Sequence, residues 1–294
     1  LEAVAAVLAV AVSLLAAGAF LLRSPEPGRV ESGAIRVDGS PAVAFDVGQS
    51  LECDAAARLR LKDGPAVDLD PGAAGTFVEA GRFDLRRGGG AFTAGPPLRV
   101  VAPEASVSAA GASFSARLDA RGLRVAVASG SVEVDYDGLR HPLRAGESVR
   151  YLPLAGRKAG PVKAPGEAAF DLAAALAKVE GTAVGAALER EDGRTAYAVR
   201  VIRGGKLREV TLDATTGAVL EDDVEAGDRT AVAAKISLRD AIAAALAKVP
   251  GVALEADADG RAFAEIDLLS NGRRYEVTVD LATGAVISLG PETP

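Results

Sequence analysis

A chain of 294 residues with 49% apolar side chains can build two or three small cores, and with no Trp, no Met, eight Phe and four Tyr these are Ala/Val/Leu cores. A single cysteine, Cys53, excludes an internal disulfide, and a single histidine, His141, leaves no Cys/His cluster for zinc. The formal charge of −7 is uneven: residues 28–152 carry 15 basic and 16 acidic side chains, residues 166–294 carry 14 and 22, and an acidic half argues against binding nucleic acid.

Residues 3–22, AVAAVLAVAVSLLAAGAFLL, are an unbroken apolar run. Twenty residues at about 1.5 Å each reach across a bilayer core of about 30 Å. Arg23-Ser24-Pro25-Glu26-Pro27-Gly28 ends any helix there. The run predicts a transmembrane helix over residues 1–23, placing the chain in a bacterial cell membrane with residues 24–294 on the non-cytoplasmic side. A cleaved signal peptide is the alternative, since Ala17-Gly18-Ala19 has the small residues of a cleavage site. A buried soluble helix is the third reading. The lack of Met at position 1 implies a start inside a longer or processed protein.

Residues 29–152 show almost no helical periodicity. Short alternating segments such as Ala57-Arg58-Leu59-Arg60-Leu61, Leu123-Arg124-Val125-Ala126-Val127 and Val132-Glu133-Val134-Asp135-Tyr136 are separated by Gly, Asp63-Gly64 and other turn pairs. Ten or more short strands at this spacing predict an all-β domain, a two-sheet sandwich or a solenoid-like double sheet. The ordered run GQSLECDAAARLRLKDGPAVDLDPGA, FDLRRGGGAFTA, LRVVAPEASVSAAGASFSARL, LRVAVASGSVEV and LRAGESVRY resembles the FecR domain. Gly111-Ala112 stands where that family has Gly-Thr, and Ala102-Pro103 where it has Thr-Pro, so no role for a threonine hydroxyl carries over. The resemblance implies a non-cytoplasmic domain. In the family such a domain relays an outer-membrane signal to a cytoplasmic anti-sigma segment, which here would precede residue 1.

The last part repeats itself. AAALAKVEG at 173–181 returns as AAALAKVPG at 243–251, and EVTLDATTGAV at 209–219 returns as EVTVDLATGAV at 276–286. Each copy, 166–222 and 235–290, reads as one amphipathic helix and then strands. Phe170, Leu172, Ala173, Leu176 and Val179 form the apolar stripe of the first helix, and Ile236, Leu238, Ile242, Leu246 and Val249 that of the second. Three strands follow each helix, so the expected class is α+β, a helix on an antiparallel sheet. The ending, with Asp213, Thr216 and Gly217 in one copy and Asp280, Thr283 and Gly284 in the other, resembles the PepSY domain. That resemblance implies peptidase inhibition or local protein interaction, as in propeptides of thermolysin-like peptidases, and no catalysis.

Individual side chains suggest little chemistry. Asp213 and Asp280 read as acceptors for backbone N–H groups in the Thr-Gly turn. Glu221-Asp222-Asp223 with Glu225 and Asp228, and Asp257 with Asp259, lack the spacing of a calcium loop, and the first stretch reads as a solvated linker over 221–230. His141 reads as a surface residue, Cys53 as a small core or surface residue and Arg86-Arg87 as a solvated edge. Gly88-Gly89-Gly90 lacks the Lys-Ser/Thr of a phosphate loop. Residues 153–166, with three Pro and three Gly, read as an extended linker. No catalytic, cofactor-binding or metal-ligating residue is assigned, and no cofactor is implied. The expected role is not enzymatic: an envelope protein that offers sheet edges to a protein or peptide partner, with anti-sigma-type signalling as one form. The partner would be a sigma factor reached through a preceding segment, or a secreted peptidase that the repeats inhibit or assist. A structural scaffold is the remaining alternative.

Overall fold

Strict alternation of apolar and polar residues decides the first half of the chain, because successive side chains of a strand point to opposite faces. The computed structural model describes residues 28–62, 64–154, 168–191, 193–225, 234–258 and 262–292. Sixteen strands are described in this half: β1 (Gly28–Ser32), β2 (Ile35–Val37), β3 (Ser40–Ala42), β4 (Ala44–Phe45), β5 (Ser50–Cys53), β6 (Ala57–Leu61), β7 (Ala66–Leu69), β8 (Ala74–Glu79), β9 (Arg82–Ala94), β10 (Leu98–Val101), β11 (Ala105–Ala109), β12 (Ala112–Asp119), β13 (Gly122–Ser129), β14 (Ser131–Tyr136), β15 (Leu139–Arg144) and β16 (Ser148–Tyr151). They form two hydrogen-bonded runs. One is β4–β1–β6–β7–β9–β12–β13–β16, the other β3–β2–β5–β8–β9–β10–β11–β14–β15.

Strand β9 belongs to both. Its first residues pair with β8 and β10, and Gly88–Ala94 pair with β12. The Gly88-Gly89-Gly90 run lies where it changes sheets. Gly88 has φ of 67°, and a Cβ there would meet Ala73 Cα at 2.7 Å. A Cβ on Gly90 would meet the Asp68 carbonyl oxygen at 2.5 Å. The three glycines are thus a close crossing of strands. A column of phenylalanines ties the layers together: Phe45–Phe77 centroids lie 5.6 Å apart, Phe77–Phe83 4.8 Å, Phe83–Phe92 5.9 Å and Phe92–Phe114 5.3 Å.

The second half contains α1 (Leu172–Leu176), then β17 (Thr182–Glu191), β18 (Arg194–Arg203), β19 (Lys206–Asp213) and β20 (Val219–Val224). The copy contains α2 (Leu238–Lys248), β21 (Val252–Asp257), β22 (Phe263–Ser270), β23 (Arg273–Asp280) and β24 (Val286–Pro291). Each set of four strands is antiparallel. Ser237 caps α2 reciprocally with Asp240, and Leu238, Ala241, Ile242 and Ala245 are its buried face.

The expected fold class needs correction. Of the described residues 62% are strand and 7% helix, so the described part of the chain is nearly all-β rather than a β domain followed by two α+β modules, and no transmembrane helix is described. The helices have 5 and 11 residues. No described helix is long and apolar enough to cross a membrane, and residues 3–22 lie outside the described residues, as does most of the expected linker at 153–166. Helix α1 is shorter than its apolar stripe because its end tightens. Lys178 N–H donates to the Ala175 carbonyl at 3.0 Å, three residues back, and the chain turns toward β17.

Each copy also has a fourth strand, β20 or β24, where three were expected. Residues 219–224, expected in part as linker, are therefore β structure. The sheets then join. Strand β17 pairs with β21, and β24 pairs in parallel with β16 through Arg150↔Ser288 and Tyr151↔Leu289. An open sheet edge leaves a row of N–H and C=O groups without partners, and these two pairings fill four such edges, those of β16, β17, β21 and β24.

Replacing Phe92 with Ala should remove about 3–5 kcal/mol of stability, because the ring is fully buried between Phe83 and Phe114. Urea denaturation checks this, and a loss below about 1 kcal/mol would show that the column is not core.

Candidate functional site

The two Thr-Gly turns are near-identical constructions. Asp213 Oδ1 accepts from Thr215 N–H (2.9 Å), Thr216 N–H (2.7 Å) and the Thr216 hydroxyl (3.0 Å). Asp280 Oδ1 accepts from Ala282 N–H (2.8 Å), Thr283 N–H (2.8 Å) and the Thr283 hydroxyl (3.0 Å). Gly217 and Gly284 complete the turns with φ of 72° and 76°. These bonds hold both carboxyls below the usual carboxylate range. Each aspartate is therefore a turn-builder that aims a fourth strand back along the sheet.

What that fourth strand does differs between the copies. Strand β24 is covered by β16, and Leu152 N–H donates to the Leu289 carbonyl at 2.9 Å. Side chains reinforce this junction. Lys248 Nζ on α2 donates to both Glu147 oxygens at 2.9 Å and to the Pro142 carbonyl at 3.0 Å. Asp137 accepts from Arg273 at 2.5 Å and from the Tyr275 hydroxyl at 3.0 Å. Strand β20 has no such cover among the described residues. All six of its residues are exposed, including Val219 (59%), Leu220 (46%) and Val224 (54%).

His141 lies under the junction, not on the surface as expected. It is 3% exposed, and its Nε2 shares a 2.6 Å hydrogen bond with the Tyr151 hydroxyl. Burial, aided by the Lys248 charge, pushes the imidazole down to about 4, so it is neutral. Alternation could have located it, since Leu139, His141 and Leu143 share one face of β15 and all three are buried. Burial raises the Tyr151 hydroxyl as well, so both partners of this core contact are neutral, while His141 Nδ1 is buried with no hydrogen-bond partner among the described residues.

Other candidates resolve similarly. Cys53 is buried, and burial raises its thiol to about 11. Arg86 donates to Ser50 and Arg87 to the Gly72 carbonyl, so neither is merely solvated. Asp222 binds Arg203 (2.5 Å) and Arg208 (2.7 Å), and Asp257 binds Arg200 (3.3 Å). Asp228 and Asp259 lie outside the described residues. Among the described residues no group of three or more His, Cys, Asp and Glu is placed to hold a metal ion. Asp267, which the sequence reading passed over, has its carboxyl raised to about 7 by burial and by Glu292, Glu255 and Glu276, against Arg274. A cleft of about 350 Å³ between the helices is lined mainly by apolar residues such as Leu176, Val184, Ile236 and Leu281.

The described residues thus form a nearly all-β protein with two copies of one helix and four strands, one copy with its outer edge filled and the other with its outer edge uncovered among the described residues. Both copies match the family model of the peptidase propeptide and YPEB domain, PepSY, over residues 172–223 and 235–289. That match does not extend to residues 29–152, whose FecR resemblance stands on its motifs alone. No curated protein matches the chain. Among solved structures it is similar to a candidate lipoprotein from Clostridium difficile 630, at 24% identity over 38% of this chain and 82% of that one, with a TM-score of 0.28. Two structures of candidate anti-sigma factors from Parabacteroides distasonis ATCC 8503 are also similar. One has 24% identity over 34% of this chain (TM-score 0.30), the other 21% over 49% (TM-score 0.29). The chain spans 52% and 65% of their lengths.

His141 and Asp267 give opposite pH dependences. The unfolded histidine takes up a proton near pH 6.5 and the folded one near 4, so its contribution to stability falls as pH drops through that window. The folded Asp267 keeps its proton up to about pH 7 and the unfolded one only to about 3.8, so its contribution falls as pH rises. Over roughly pH 4–6.5 the two should largely cancel. Asp267→Asn should then gain stability with rising pH relative to wild type, by about 1.4 kcal/mol per unit, and His141→Gln should lose it by a similar slope. Urea titrations at several pH values check this, and parallel profiles for wild type and D267N would exclude the assignment.

Proposed function

We propose that this chain is a non-catalytic binding protein that acts outside the cytoplasm and holds protein or peptide partners in extended form through its sheet edges. The single observation that carries the reading is internal. In the second copy the outer edge of β24 already holds a strand from elsewhere, β16, and the first copy presents the corresponding strand exposed. The match to a peptidase propeptide domain, and the engagement of His141, Cys53, Asp213 and Asp280 in structural contacts, are consistent with it. An anti-sigma-type relay is the finer form of this reading, supported by the FecR-like motifs of residues 29–152.

A second reading, a modulator of an extracytoplasmic peptidase, is favoured by the propeptide match. The purified chain, incubated with an arrayed set of extended peptides, should retain a subset of them and release them intact by mass spectrometry. Cleaved or altered peptides, or no retention at all, would overturn the binding role. In parallel, a thermolysin-like peptidase should lose kcat/KM when the chain is added if the second reading holds, and unchanged activity removes it.

A further inference from the structure

Copy 2 shows what an outer edge of this unit accepts, and the repeat offset transfers that information residue by residue. EVTLDATTGAVLEDD at 209–223 aligns with EVTVDLATGAVISLG at 276–290, so Ser288 corresponds to Glu221, Leu289 to Asp222 and Tyr275 to Arg208. The ladders agree: Thr211↔Glu221 in one copy matches Thr278↔Ser288 in the other, with the same register shift beside each. Glu225 N–H donates to the Leu207 carbonyl at 3.0 Å, and Glu292 N–H to the Arg274 carbonyl at 3.1 Å. In an antiparallel ladder alternate residues bond inward, so 221, 223 and 225 face β19 while the backbone of Asp222 faces out. The equivalent outward residue, Leu289, is the one whose carbonyl accepts from Leu152.

We propose that β20 is the acceptor strand for a partner segment, and that this segment runs parallel to it as β16 runs to β24, with an Arg or Lys opposite Glu221. The proposal rests on the binding role given above and names its place and its ligand chemistry. Charge fixes the cation. The strand that covers β24 presents Arg150 opposite Ser288, and in β20 that position is the carboxylate of Glu221. Asp223 and Glu225 alternate with it along the chain and Glu209 lies opposite Asp223 on β19, so carboxylates crowd this face; Arg203 and Arg208 are engaged by Asp222, and Arg200, opposite Glu209, pairs with Asp257. Burial of apolar surface supplies the affinity. Val219, Leu220 and Val224 are three of the seven large apolar residues left exposed among the described residues.

Arg208 does not close the edge. Its guanidinium donates to the Asp222 carboxylate and, at 3.0 Å, to the Asp222 carbonyl, which keeps a second lone pair for a guest N–H. With Arg203 it also holds Asp222 aside, toward the face shared with Val210. The acidic row disfavours pairing of β20 with β20 of a second copy, because like charges would lie side by side.

The probe is a fluorescent peptide with the sequence of residues 147–152, Glu-Ser-Val-Arg-Tyr-Leu, the one segment seen on this kind of edge. Anisotropy with the whole chain should show saturable binding. Glu221→Lys should weaken it by about fivefold, the upper range for an exposed ion pair. The same variant should bind a peptide with Glu in place of Arg better than wild type does. Asp222→Pro, which removes an outward N–H and the carboxylate held by Arg203 and Arg208 but leaves the backbone bonds to β19, should abolish binding while β19 amides keep their exchange protection, and Asp222→Asn, which keeps the N–H, should still bind. If the peptide binds wild type, E221K and D222P equally, the edge assignment is overturned and the general binding role stands. If neither this probe nor any arrayed peptide binds wild type, the binding role itself fails.

Discussion

Everything in this fold turns on the requirement that a strand's outward N–H and C=O groups find partners. The parallel pairing of β16 with β24 meets that requirement for two otherwise separate strand sets at once. It is a short contact, with Arg150↔Ser288 and Tyr151↔Leu289 in register, and alone it would be weak. Its strength comes from what surrounds it: the Lys248–Glu147 ion pair on one side, the Asp137–Arg273–Tyr275 group on the other, and the His141–Tyr151 pair beneath. Tyr151 links these features, because its backbone is in the ladder while its hydroxyl reaches into the core.

The duplication makes the two outer edges comparable and their difference informative. Turn geometry, strand register and the inward carbonyl bonds are the same in both copies. Only the outward chemistry has diverged. Val286-Ile287-Ser288-Leu289 suits a neighbour within the molecule, whereas Val219-Leu220-Glu221-Asp222 keeps its apolar residues and adds charge. Exposed acidic residues are a common defence of an open edge, yet a purely defended edge has no need of three exposed aliphatic side chains.

Much of this architecture is legible in the sequence, and the parts that are not have specific causes. Strict alternation at Ala57–Leu61 and Ser131–Tyr136 identifies strands, and the repeated EVT-D--TGAV fixes the turns down to the aspartate that builds them. Strand β20 escapes because Glu221-Asp222-Asp223 has the composition of a loop, and only pairing with β19 and Arg208 makes it a strand. Helix α1 is overestimated because an apolar stripe reports a buried face and not where the helix stops. The position of His141 was available from the alternation of β15, but a polar residue beside Pro142 reads as surface unless that pattern outweighs residue type. The raised carboxyl of Asp267 depends on burial and on charges brought from elsewhere in the chain, Glu292, Glu255 and Glu276, and no local pattern announces it.

The β16–β24 junction also bears on how the chain is made. Asp137 and Tyr275 meet across 138 residues, so the junction cannot close until both repeats have left the ribosome. During synthesis β16 therefore waits with one side uncovered while both repeats are assembled. An emerging chain in that condition is a target for whatever binds bare strands, whether a holding chaperone or another unfinished copy. Strand β24 is the one that ends this exposure, so its arrival, rather than completion of the first half, marks the point at which β16 becomes safe from its neighbours.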